Sequence, residues 1–132
     1  MRTTVRKASD KPPKLLIVDD DVSLTRFLKT GLERHGEFEV LVENDSTRAS
    51  SRAEHFKPEL MVIDMIMPEM SGVDAAREIC GKPWGRNLPI IFLTSLAESR
   101  GSSSLKDISV HATQITKPVS INDLKAAVFE HL

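Results

Sequence analysis

The chain has no tyrosine, one cysteine and one tryptophan in 132 residues. A single cysteine, Cys80, excludes an internal disulfide and any metal site built on paired thiolates, and it fits a reducing compartment. No apolar run approaches the ~20 residues of a membrane-spanning helix. The basic N-terminus lacks the apolar segment of a secretory signal, so the expected location is the cytoplasm. A dominant charge is missing too: 18 Lys and Arg face 19 Asp and Glu, for a net charge of -1. That balance favours neither nucleic acid nor a membrane surface as a partner. The four histidines, His35, His55, His111 and His131, lack metal-type spacing and are expected on the surface. There is no internal repeat.

What is present suffices for one domain with one real core. Residues 1–13, "MRTTVRKASDKPP", hold few apolar residues and end in two prolines. They are expected to form a disordered basic tail ahead of a domain at 14–132. Five basic residues and one acid lie in residues 1–14, a net +4, which leaves thirteen basic and eighteen acidic residues in the other 118.

From Lys14 onward, strand and helix patterns alternate. "KLLIV", "ELMVID" and "IIFLT" are short, continuous apolar runs; "FEVLVE" alternates, and "TQIT" is a short fifth strand. Leu24, Phe27, Leu28 and Leu32 recur at helical spacing, with Gly36 placed to stop that helix. Ser46–Phe56 reads as a weak helix and Val73–Cys80 as a third; "LAESRGSSSLKD" is a poor fourth, broken by Gly101. Ser120 caps a fifth helix, with Ile121, Leu124, Val128 and Leu132 on one face. Continuous apolar strands suit a parallel sheet covered on both faces. Right-handed crossovers then favour an α/β, flavodoxin-like, doubly wound (βα)5 fold, whose crevice lies at the carboxyl ends of the strands.

At those ends stand Asp19, Asp20 and Asp21, then Asp64, then Thr94 and Ser95, then Lys117 and Pro118. Asp21 is expected to cap the first helix. The second strand ends in Glu43-Asn44-Asp45 and is expected at the sheet's margin. Clustered hard oxygen ligands suit Mg2+, with Mn2+ as the alternative. A carboxylate beside such an ion can attack phosphorus and become an aspartyl phosphate. Lys117 adds a point charge and Thr94 a hydrogen-bonding hydroxyl.

Two families share this chemistry. "LLIVDDDVSL" resembles the opening of the haloacid dehalogenase phosphatases, with Asp19 as nucleophile and Asp21 as acid/base. That reading needs a further acidic motif after Lys117, where the chain offers Asp123 inside the last helix. It also needs room for a cap domain. "LLIVDDD", "LMVIDMIMPEMSG", "PIIFLTS" and "ITKPVS", in this order and spacing, resemble the four signatures of the response-regulator (CheY-like) receiver domain over about Lys14 to Leu132.

The receiver resemblance implies roles. Asp64 would accept a phosphoryl group from a sensor histidine kinase or histidine phosphotransfer protein. Asp20 would ligate Mg2+ directly, Asp19 through water, and Ile66 through its backbone carbonyl, with Asp64 completing the set. Thr94 would bond a phosphoryl oxygen and act as the switch; Lys117 would pair with Asp64 or its phosphate. The Lys117-Pro118 bond would be cis. The chain would be a self-phosphorylating switch with slow autodephosphorylation, not a dedicated enzyme. No output domain is expected to follow, so the chain reads as a stand-alone receiver or an excised one. A downstream protein would dock on the face formed by the fourth helix, fifth strand and fifth helix. The chain would be a monomer or a weak phosphorylation-dependent dimer. A degenerate receiver, acting as a constitutive interaction module, is the alternative.

Three departures stand out: Gln114 where the family has an aromatic residue, a loop "SVHATQ" without the usual Gly-Ala, and the serine-rich fourth helix. By the receiver resemblance, Ile66 and Leu96 would take the positions, two past the acceptor and two past the threonine, that flank the hydrolytic water's path. Both are apolar, which implies a long-lived phosphorylated state. Met65, Met67 and Met70 are expected to pack the loop after Asp64, and Pro68 and Gly72 to shape its turn.

Overall fold

A computed structural model describes residues 11–95 and 111–132. Residues 1–10, the expected fourth helix and Leu96 lie outside the described residues. Five strands, β1 (Lys14–Val18), β2 (Glu39–Glu43), β3 (Leu60–Asp64), β4 (Ile90–Thr94) and β5 (Ala112–Thr116), alternate with helices. The helices are α1 (Val22–Glu33), α2 (Ala49–Phe56), α3 (Gly72–Cys80) and a C-terminal helix (Ile121–His131). The weak second helix starts as a 3-10 turn, Ser46–Arg48. The sheet is all-parallel in the order β2-β1-β3-β4-β5, so β2 does lie at the margin.

The three continuous apolar strands occupy the middle and are buried on both faces, because successive side chains alternate between them. Leu16, Val18, Met61, Ile63, Ile90 and Phe92 meet Ala49 and Ala53 of α2 and Ala75, Ala76 and Ile79 of α3. Leu15, Ile17, Leu60, Val62, Ile91 and Leu93 meet Leu28 and Leu32 of α1 and Leu124 and Val128 of the C-terminal helix. Each fully buried aliphatic or Phe side chain contributes roughly 1.5–3 kcal/mol. Phe27, despite its helical spacing with Leu24 and Leu28, is 55% exposed. Met67 is buried and Met65 and Met70 pack against the first cluster, as expected of loop packing.

Side chains cap three helices. Asp21, Ser71 and Ser120 accept from the amides of Leu24 (3.0 Å), Asp74 (3.1 Å) and Asp123 (3.0 Å). These bonds satisfy amides that have no intrahelical partner. Helix α1 stops at Glu33, and Gly36 turns the chain with φ +70°.

Candidate functional site

Parallel pairing brings the carboxyl ends of β1, β3 and β4 to one edge of the sheet. The run Asp19-Asp20-Asp21 then divides its labour. Asp21 caps α1, while its own amide donates to Asp19 Oδ1 at 3.0 Å. Asp19 is fully buried; Asp20 is exposed. Oxygens of Asp19, Asp20 and Asp64 lie within 4.8 Å of one another. Lys117, just past β5, reaches between two of them. Its Nζ is 3.2 Å from Asp19 Oδ2 and 3.1 Å from Asp64 Oδ1. The Lys117-Pro118 bond is cis. Thr94 is buried at the end of β4, and its hydroxyl donates to the Ser95 carbonyl at 3.1 Å.

The electrostatics follow from burial. Desolvation pushes the Asp19 carboxyl upward, against the Asp21 amide and the Lys117 ammonium, which hold it down. Desolvation also works against the Lys117 ammonium. The charge of Asp19, and the hydrogen bond and charge of Asp64, outweigh it, and the lysine's pKa lies above its ordinary value. Asp19 Oδ2 is buried and accepts no well-angled hydrogen bond; its Lys117 contact is an ion pair. An under-satisfied buried carboxylate oxygen in an all-oxygen donor set fits a hard divalent cation.

All the site positions expected from the sequence except Leu96 fall among the described residues. Asp19, Asp20, Asp64 and Lys117 converge, and Thr94 ends the neighbouring strand. Ile66 lies two residues past Asp64 with its side chain 62% exposed. Asp123, the acid that the phosphatase reading depends on, sits exposed in the first turn of the C-terminal helix. Two features were missed. Lys117 pairs with Asp19 as well as Asp64. The loop after β2 also reaches the site: Asn44 Nδ2 donates to the Asp19 carbonyl at 2.7 Å and to Thr25 Oγ1 at 3.0 Å, and Ser46 Oγ donates to the Pro68 carbonyl at 3.2 Å.

A doubly wound parallel sheet with an acid-lined crevice at its carboxyl edge is shared by several protein families, and comparison with known proteins selects one of them. The sequence model of the response regulator receiver domain matches residues 15–129. The chain is 36% identical over 114 residues to protein-glutamate methylesterase/protein-glutamine glutaminase 3 of Rhodospirillum rubrum, covering 83% of this chain and 30% of that protein. It is 32% identical to the phosphate regulon transcriptional regulatory protein PhoB of Rhizobium meliloti, covering 88% of this chain and 50% of that one. The chain therefore spans half or less of these relatives. Among solved structures, the chemotaxis response regulator CheY4 of Vibrio cholerae shares the fold, with TM-score 0.83 and 22% identity over 92% of this chain and 99% of that one. The Francisella response regulator 1452 receiver domain superposes with TM-score 0.76 and 28% identity, covering 89% and 94%. This chain belongs to the response regulator receiver domain family, the phosphoacceptor module of two-component signalling. No helix among the described residues is long and apolar enough to cross a membrane.

Proposed function

We propose that Asp64 accepts a phosphoryl group from a phosphohistidine on a sensor histidine kinase or histidine phosphotransfer protein. A carboxylate oxygen of Asp64 attacks phosphorus, the P–N bond breaks, and its electron pair leaves with the imidazole. The observation that carries this reading is the Lys117 ammonium placed between Asp19 and Asp64. It sits where it can hold the Asp64 carboxylate and then a phosphoryl oxygen. Thr94 supplies a hydroxyl at the adjoining strand end. Asp19, Asp20 and Asp64, with the Ile66 carbonyl, would hold Mg2+ or Mn2+, which when bound neutralises charge on the phosphoryl oxygens. The phosphorylated module would then act on a protein target, as a monomer or a weak dimer, and not as a dedicated enzyme.

The test is incubation with a small acyl phosphate and Mg2+, read by intact mass. One added phosphate supports the switch. None points to a constitutive interaction module, and sustained turnover of phosphoesters to a phosphatase.

Two further results are expected. Three acids around one lysine repel, so a cation that binds the native state alone should stabilise it, by about 2.7 kcal/mol at a hundredfold excess over its Kd. The melting temperature should rise in Mg2+, and Asp20→Ala should lose most of that rise. An unchanged melting temperature in wild type, or a full response in Asp20→Ala, would contradict the cation site. Second, apolar Ile66 cannot orient a hydrolytic water. Introducing Ile66→Asn together with Leu96→Glu should speed decay of the phosphorylated protein about tenfold, at ~1 kcal/mol per positioning hydrogen bond. Equal decay rates would rule out water access at these positions as the limit.

A further inference from the structure

The aim of Asp20 is set by its backbone. Among the described residues no hydrogen bond or ion pair holds its carboxylate, and it stands exposed at the rim of the acid cluster. Its direction therefore depends on the peptide plane that joins it to Asp19. A peptide unit is flat, so fixing its carbonyl oxygen fixes the path from one Cα to the next. That oxygen is held by Asn44 Nδ2 at 2.7 Å.

Asn44 is itself anchored on both sides. Its amide also donates to Thr25 Oγ1 at 3.0 Å; Thr25 is a buried residue of α1 whose hydroxyl donates to the Val22 carbonyl. Just before it, the Glu43 carbonyl accepts from the Asp19 amide at 3.2 Å, so the same short segment holds both polar backbone groups of Asp19. The buried Glu43 carboxylate stiffens this turn. One oxygen accepts from the Asp45 amide at 3.0 Å, and the other faces Arg52 at 3.2 Å.

We propose that Asn44 is a positioning residue for cation binding, clamping the Asp19–Asp20 peptide so that both carboxylates face Asp64. The inference rests on the receiver reading of the site and adds to it a residue from the marginal strand. Asn44 touches neither phosphoryl group nor cation; it acts through the Asp19 carbonyl. Partners one step removed from a metal ligand typically change metal affinity by 10- to 100-fold when lost, and about tenfold is expected here.

The experiment is calorimetric titration of the full chain with Mg2+ alone, comparing wild type with Asn44→Ala, Asn44→Leu and Asn44→Gln. Leucine keeps the shape and removes both donors; glutamine keeps the amide. Asn44→Ala and Asn44→Leu should bind Mg2+ about tenfold more weakly, Asn44→Gln should recover part of the loss, and labelling at saturating Mg2+ should stay within about threefold of wild type. A purely structural role would lower the melting temperature and leave Mg2+ affinity alone. If Asn44→Ala does not fold, the leucine variant decides. Wild-type affinity in a folded Asn44→Leu protein would overturn the proposal and leave the receiver reading intact. A wild type that binds no Mg2+ would overturn both.

Discussion

Asp64→Asn protein should gain no phosphate from an acyl phosphate donor in Mg2+, by intact mass, where wild type gains one. The amide matches the carboxylate in size but has no anionic oxygen to attack phosphorus. The fold should survive, because Asp64 closes β3 at the rim of the sheet and its side chain supports no apolar layer. Lys117 would lose one of two acidic partners and keep Asp19. Repulsion among the three acids would also fall, so the denaturation midpoint without Mg2+ should match wild type or exceed it. Undiminished labelling of the mutant would place the acceptor elsewhere.

A second large effect is expected at Gly72, the first residue of α3. A Cβ built there would lie 1.9 Å from the Asp64 carbonyl oxygen and 2.9 Å from Ile63 Cγ2. The first obstacle is backbone within the central sheet and cannot swing aside. Gly72 also donates its amide to the Met65 carbonyl at 2.8 Å, so α3 is tied where it nearly touches β3. Gly72→Ala should therefore cost about 3 kcal/mol or more, as overpacking of a rigid site does. It should also push the loop after Asp64 away from the acid cluster and slow phosphorylation. Chemical denaturation checks the first effect; an unshifted midpoint would show that α3 can slide without loss.

These two residues mark what could be read from the sequence. Asp64 was legible because an acid ending a continuous apolar strand is costly without a purpose, and the string after it is specific. The three central strands were legible for the same physical reason, since burial on both faces leaves no polar alternation. Asp21 and Ser120 were legible as caps, because capping is local. Gly72 was expected to shape a turn, whereas it permits close packing of helix on strand, a tertiary fact that spacing does not encode. Phe27 has the spacing of a core residue and points outward, because an apolar stripe wider than its groove leaves its edge in water. Asn44 reads only as part of the end of the marginal second strand, and nothing linear reveals that its amide reaches Asp19, far back in the chain. Lys117 was expected to serve Asp64; its second partner follows from the depth at which Asp19 is buried.

The strand order carries a kinetic consequence. β1 sits between β2 and β3, and every neighbouring pair is parallel, so no two strands can zip together through a hairpin. Each pairing has to close a long loop before any contact rewards it, which places such a chain among the slower-folding small domains. The three acids come from two strands whose pairing is itself non-local, and Lys117 arrives from near the far end of the chain. The full repulsion among the three acids is absent until β1 and β3 pair. A divalent cation therefore has almost nothing to grip in the unfolded ensemble and little in a half-built sheet. Its stabilisation should fall on the rate of unfolding and leave the rate of folding nearly unchanged. In a receiver of this topology, a bound ion would act as a latch on an assembled molecule and not as a seed for assembling it.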